Sequence, residues 1–217
     1  KGFTLDNWKN PCGAPEVCNA LANSIKIGLL ATIFSTILGT MIAFAIGRHK
    51  FKGRSTSNLL IFLPMATPEI VLGASLLSLF LVFKINPGFW PTVIAHVMFC
   101  ISFVVVTVKA RIASLDPRLE QAAMDLYANE FQTFRRVTLP LVAPGIAGAA
   151  LLAFSLSFDD FIITNFNSGT VITFPKFVYT AAARGIPAQA NVIGSGMFFL
   201  ALAIVIAGQF VNRRKAR

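Results

Sequence analysis

Three carboxylates stand where a charge is costly. Glu69, Asp159 and Asp160 lie within or at the end of long apolar stretches. Ionisable residues in such places mark functional positions by default. Acids in a low-dielectric setting suit one chemistry above others, the holding of a cation whose charge would otherwise be unpaired. Phe158 and Phe161 flank the aspartate pair, and an aromatic face beside a carboxylate adds cation–π attraction. Adjacent helix positions point about 100° apart, so Asp159 and Asp160 cannot face one point equally. One can bind a ligand while the other caps a helix or pairs with Lys or Arg. Glu69 falls roughly 16 Å into its stretch at 1.5 Å per residue. Its alternative role is a hydrogen bond to backbone freed by Pro64 and Pro68. The expected substrate contacts are Asp159, Asp160, Glu69 and Phe158.

Other chemistries lack their residues. A phosphate-cradling loop needs G-x-x-x-x-G-K-[ST]. The nearest string, Gly53-Arg54-Ser55, has Arg in place of Lys, and Gly47 stands one residue too far upstream. No nucleophile–base set appears, since His96 is the one histidine at the depth of the apolar serines. His49 and His96 sit on different elements, and no Cys/His cluster has metal spacing. Cys12 and Cys18 share a polar segment with Gly and Pro between them; they form either a disulfide, in an oxidising compartment, or two free thiols. Cys100 lies within an apolar stretch and reads as a small packing residue.

The elements that position these residues are membrane helices. Of 217 residues, 55% are hydrophobic and only 13% charged, about half the charged share of a soluble domain. Five segments approach or exceed the roughly 20 apolar residues a spanning helix needs: Ile27–Gly47, Asn58–Phe83, Pro91–Val108, Leu141–Phe158 and Gly185–Asn212. None alternates like a barrel strand, and none has the charged face of a soluble helix. Ala31, Ser35, Gly39, Ala43 and Gly47 recur every fourth residue, a small stripe against which another helix can pack closely. Pro64, Pro68 and Gly73 punctuate the second segment, as in broken helices that are either buried or line a cavity.

Charge orients the bundle. Thirteen of the 19 Lys and Arg fall on one side. They are Arg48, Lys50, Lys52 and Arg54, then Lys109, Arg111, Arg118, Arg135 and Arg136, then Arg213, Arg214, Lys215 and Arg217. Lys1, Lys9, Lys84, Lys176 and Arg184 fall on the other, and Lys26 sits at a helix mouth. The bias places residues 109–140 and the carboxyl end in the cytoplasm and the amino end outside. The formal charge of +10 therefore reads as topology, and no nucleic-acid partner is expected, because the cations are split among loops. An amino end outside, with no signal or anchor in residues 1–20, leads us to expect one more helix upstream, six in the full protein. Residues 1–20 form an external segment on this reading, and 21–217 the membrane domain.

Residues 120–140 are a polar, helix-prone island between apolar segments. Gln121-Ala122-Ala123, three residues, Tyr127, nine residues, then Val137-Thr138-Leu139-Pro140 resembles the E-A-A-x3-G-x9-I-x-L-P loop of ABC-importer permeases. LPMATPEIVLG at 63–73, DLYANEFQTFRRVTLPLVAPGI at 125–146 and SFDDFIITNFNSG at 157–169 are similar to the spermidine/putrescine type. The resemblance covers nearly the whole chain. It implies an all-α type I permease bundle in the bacterial inner membrane, five helices here, with two ATP-binding subunits, a second homologous membrane subunit and an external binding protein as partners. No cofactor is expected in this chain; ATP and Mg belong to the partner ATPase, so the chain itself is not an enzyme. Glu120, Gln121, Ala122, Ala123, Tyr127, Leu139 and Pro140 are the expected coupling residues. Two positions depart from the family: Gln121 stands for its Glu, although Glu120 precedes it, and Tyr127 stands for its Gly. A Tyr there must either bear a positive φ, change the turn, or touch the ATPase itself.

The expected function is a permease subunit of an ATP-driven importer, translocating polyamines. The rivals are an importer of another solute, such as an anion, sugar or amino-acid derivative, and a channel or scaffold. An anion carrier would need cavity arginines, whereas the apolar segments hold acids. A channel needs no coupling loop, and a scaffold needs no intramembrane acids. An intramembrane enzyme lacks its paired nucleophile and base.

Overall fold

Proline decides the sharpest break in the chain. Pro68 has no N–H to donate, and its ring disfavours helical backbone at the preceding residue. Thr67 accordingly turns extended, at φ −81° and ψ 132°. The expected span Asn58–Phe83 is therefore not one helix. It is two, α3 (Arg54–Ala66) and α4 (Glu69–Val82), bent by 106° at Thr67-Pro68.

The computed structural model describes residues 6–49, 51–183 and 185–215. Lys1, Lys50, Arg184 and Arg217 of the charge pattern lie outside the described residues, as do the side chains of Arg213, Arg214 and Lys215. The remaining helices are α1 (Asp6–Lys9), α2 (Pro15–Arg48), α5 (Phe89–Ala113), α6 (Arg118–Asp125), α7 (Glu130–Thr133), α8 (Leu139–Asp159), α9 (Ile162–Asn167), α10 (Phe174–Ala182) and α11 (Ala188–Lys215). No strand occurs among the described residues. Three uninterrupted helices are long and apolar enough to cross a membrane: Glu16–Arg48, Phe89–Ala113 and Glu130–Asp159. The α3–α4 pair is a broken fourth, and α11 occupies the fifth expected segment.

The helix ending at Asp159 starts further back than its apolar run suggests. Pro140 cannot donate to the carbonyl of Arg136. The helix widens into a π turn over Phe134–Thr138 just before it, with Leu139 N–H bonded to Phe134 C=O. It does not break. α7, the π turn and α8 run on as one rod of 30 residues, about 45 Å at 1.5 Å per residue.

Chain contacts divide the protein into two units, residues 24–171 and residues 1–23 with 172–217. In the larger unit α5 is the central helix. Its Phe99, Cys100, Val104, Val105 and Val108 form one core with Ala43, Leu76, Phe80, Val142, Ala149 and Ala153. The small stripe of α2 is buried at Ala31, Ser35, Gly39 and Ala43. A Cβ on Gly39 would lie 2.7 Å from Val104 Cγ1, so this crossing admits only glycine. In the smaller unit, Val17 and Ala20 pack with Phe177, Ala190 and Ile193. Cys12 and Cys18 are joined in a disulfide, with Cα atoms 5.5 Å apart.

Candidate functional site

Two places in the larger unit carry the residues singled out by type and spacing. The first is the end of α8. Asp159 is the last residue of that helix and is exposed. Asp160 leaves it in extended backbone, at φ −67° and ψ 125°, and is only 7% exposed. Its carboxylate accepts hydrogen bonds from the N–H groups of Ile163 (3.3 Å) and Thr164 (2.9 Å). These are orphan donors at the start of α9, so Asp160 acts as that helix's cap.

His96 completes the arrangement from α5. Its ring is fully buried. Nδ1 lies 2.7 Å from Ser157 Oγ, and Nε2 lies 3.0 Å from Thr164 Oγ1 and 3.5 Å from Asp160 Oδ2. Both carboxylate oxygens of Asp160 thus face inward, and Asp159 alone of the pair is open. Cys100, one turn further along α5, packs in the same core with Sγ 3.5 Å from the Ala153 carbonyl.

Glu69 reaches the same region from the other side of the proline break. It opens α4, where a carboxylate is favoured by the positive end of the helix dipole, and it is exposed. Glu69, Asp159 and Asp160 lie within electrostatic reach of one another. The contact of α4 with α9 fixes this approach. A Cβ on Gly73 would sit 3.1 Å from Phe166 and 3.3 Å from Ile163 Cα. The Asn167 side-chain amide donates to the carbonyls of Gly73 (3.2 Å) and Ile163 (2.9 Å), and the Asn167 carbonyl accepts from Gly88 N–H. Phe158 is half-buried, and its ring stacks obliquely on Phe154 with centroids 5.8 Å apart. The open acids at this place are two, Asp159 and Glu69.

The second place is the polar island. α6 carries Glu120, Gln121, Ala122 and Ala123, and none of its residues is buried. It ends in a Schellman closure: Ala128 N–H bonds to Ala123 C=O (3.1 Å) and Tyr127 N–H to Met124 C=O (3.0 Å). This closure demands a left-handed residue, and Tyr127 supplies it at φ 64°. The turn that glycine would make is kept, with a side chain that is 98% exposed. Asn129 then caps α7 in a reciprocal box with Gln132, at 2.8 and 3.1 Å. Leu126 and Phe131 are 81% and 69% exposed beside Tyr127, an apolar surface on a polar segment. Leu139 is half-buried and Pro140 exposed at the start of α8.

Glu120 ties this island to the spans. Its carboxylate accepts two hydrogen bonds from the Arg48 guanidinium and one from Thr138 Oγ1. Burial raises the Glu120 carboxyl, but the bonds from Arg48 and Thr138 and the Arg48 charge outweigh it, and the net is a lowered pKa. Arg111 lies across Gly145, where a Cβ would meet its Cγ at 2.5 Å, and donates through Nε and Nη2 to the Leu141 carbonyl at 3.0 and 2.8 Å. Nothing in the sequence pairs Arg48 with Glu120 or His96 with Asp160. The one available signal for His96 was an ionisable residue inside an apolar span.

A membrane helix bundle with a broken second span and an exposed helical island between two others is the architecture of an ABC-importer permease. The chain belongs to the family of binding-protein-dependent transport system inner membrane components, whose model matches residues 35–213. It is 33% identical over 215 residues to the spermidine/putrescine transport system permease protein PotC of Haemophilus influenzae, covering 99% of this chain and 84% of that protein. To the Escherichia coli PotC it is 33% identical over 218 residues, covering 100% and 83%. To the Escherichia coli putrescine transport system permease protein PotI it is 35% identical over 186 residues, covering 82% and 66%. Among solved structures it superposes on a bacterial transporter for the import of alginate, with TM-score 0.73 and 17% identity over 98% of this chain and 84% of that one. The MetNI methionine transporter gives TM-score 0.74 and 15% identity over 94% and 97%; both likenesses speak to the fold. The chain is a multi-pass membrane permease subunit of an ABC importer.

Proposed function

We propose that this permease carries polyamines, delivered by an external binding protein and driven by ATP hydrolysed in partner subunits. One observation carries the reading: Asp159 stands open at the end of α8, within electrostatic reach of Glu69, while Asp160 is consumed as a helix cap. Two separated, uncompensated carboxylates suit a ligand with more than one ammonium group. A carboxylate balances each positive charge where water is scarce, and the Phe158 ring adds a cation–π contribution of about 0.5–2 kcal/mol. The names of the PotC and PotI relatives agree with this substrate class.

The coupling residues fit the same reading. Two ATPase subunits with bound ATP and Mg would engage the exposed island of Glu120, Gln121, Ala122, Ala123 and Tyr127, on the cytoplasmic side set by the positive-inside bias. A second, homologous membrane subunit would complete the translocation path. The continuous helix from Glu130 to Asp159 gives the coupling a mechanical route. Movement of the island rocks a rod whose far end carries Asp159, so alternating access and exposure of the cation site become one motion. Affinity at the site must remain weak enough for release.

The test is ATP hydrolysis and uptake by the complete complex in proteoliposomes, screened against putrescine, spermidine, sugars and organic anions. Stimulation by polyamines alone is the expected result. Stimulation by a sugar or an anion, with none by polyamines, overturns it.

A further inference from the structure

At the face of the spans that carries the coupling island, α2, α3 and α5 converge on a cavity of about 250 Å³. Arg48, Arg54 and Lys109 line it, with Asp116, Gly47 and Ile112. We propose that this cavity binds the phosphate group of an anionic lipid.

Three cations share its wall with one acid, Asp116, whose Oδ1 accepts the backbone N–H of Arg118 at 2.9 Å; the cations outnumber it three to one. Arg48 is held by Glu120. Lys109 donates to Asn58 Oδ1 at 2.6 Å, a neutral partner that aims the ammonium and leaves its charge uncompensated. No ion pair among the described residues involves Arg54 or Lys109. The backbone adds to the same field. α3 is 13 residues long and begins at the cavity with Gly53 as its cap, at φ 93°, and no side chain accepts its first-turn N–H groups. The Arg54 N–H donates to the Phe51 carbonyl at 3.3 Å, and the positive end of the helix dipole lies beside Arg54 with no side-chain carboxylate capping it.

Depth and shape select a lipid over a free anion. Arg48 closes α2, Arg54 opens α3, and Lys109 sits one turn before the end of α5, which is headgroup level for all three. Basic pockets between membrane helices at this level suit anionic headgroups. From Arg54 onward α3 buries no residue. Leu59, Leu60, Phe62 and Leu63 are 66%, 59%, 49% and 50% exposed, an apolar ridge leading away from the cavity that an acyl chain can follow. Inorganic phosphate would satisfy the cations and leave that ridge unused.

The experiment uses the complete transporter in nanodiscs of phosphatidylcholine with graded phosphatidylglycerol, reading retained lipid by native mass spectrometry after exchange into detergent. Wild type should hold phosphatidylglycerol that Arg54→Gln/Lys109→Gln loses by about tenfold or more, given the worth of each cation near an anionic surface. The charge-matched pair Lys52→Gln/Arg118→Gln, on the same face outside the cavity, should retain it. Arg54→Lys/Lys109→Arg, which keeps both charges, should retain it too and guards against misfolding of the neutral pair. Equal retention by wild type and the neutral cavity pair, or equal loss in both neutral pairs, overturns the site. A further arm adds millimolar inorganic phosphate to neutral nanodiscs. If phosphate raises the melting temperature of wild type over that of the cavity pair as much as phosphatidylglycerol does, the ligand is a free anion and the lipid assignment fails.

Discussion

Arg48, the last residue of α2, donates both terminal nitrogens of its guanidinium to the carboxylate of Glu120 in α6, 72 residues further on. The bidentate geometry, with Thr138 as a third donor, couples a span to the island without a covalent link. Planar paired bonds of this kind resist rotation as well as separation.

Glu120→Gln keeps the shape and removes the charge. It should lower transport per ATP hydrolysed and leave ATPase association intact, at a stability cost of about 1 kcal/mol, the upper end for a partly exposed pair. The lowered pKa of Glu120 sets the pH dependence. A depressed folded pKa contributes stability above the unfolded value, near 4.3, and that contribution is lost as pH falls through the folded value. The melting-temperature gap between wild type and Glu120→Gln should therefore be present at neutral pH and close on acidification below about pH 4. A gap that widens on acidification contradicts the assignment.

Tyr127 occupies a left-handed position that glycine adopts without penalty. Tyr127→Gly should stabilise the free permease by roughly 1 kcal/mol, read as a higher melting temperature. It should also weaken ATPase retention, because the exposed ring is lost. Tyr127→Ala loses the ring but keeps the strained φ. If both variants hold the ATPase as well as wild type, the ring makes no contact with it.

The two aspartates should part company on substitution. Asp159→Asn is expected to reduce polyamine uptake tenfold or more, for a charged contact of about 1.5–3 kcal/mol, with expression unchanged. Asp160→Ala removes the cap of α9 and should act on stability, by about 1–2 kcal/mol. Asp160→Asn, which can still accept from the Thr164 N–H, should fold better than Asp160→Ala. Full uptake in Asp159→Asn proteoliposomes would dismiss Asp159 as a cation ligand.

The Cys12–Cys18 disulfide closes a short loop next to the start of α2. Its removal in Cys12→Ser/Cys18→Ser should cost about 2 kcal/mol by the loop-entropy relation, confined to the smaller unit. Hydrogen exchange that is faster at residues 6–20 and unchanged across α5 is the expected pattern.

Much of this protein was decided along the chain. Hydropathy and length determine the spans, because lipid leaves a helix no alternative way to satisfy its backbone. The spacing from Gln121 to Pro140 marks a polar island of short helices joined by a turn, and its resemblance to the permease loop is what points to coupling. The position of Pro68 determines where the second span breaks. What the sequence left open was settled by contacts between distant segments. Adjacent Asp159 and Asp160 are chemically the same; only the arrival of α9 and of His96 from α5 makes one a buried cap and leaves the other open. Local spacing also left it open whether Tyr127 would distort its turn. The 6→1 and 5→2 bonds of the closure hold it at positive φ. Arg48 and Glu120 each read as an ordinary surface charge until the folding of α6 beneath α2 brings them together. Helices, breaks and caps follow from interactions within a few residues. Which charged side chain is spent on structure and which is left for a ligand depends on desolvation and partners that only the packed bundle supplies.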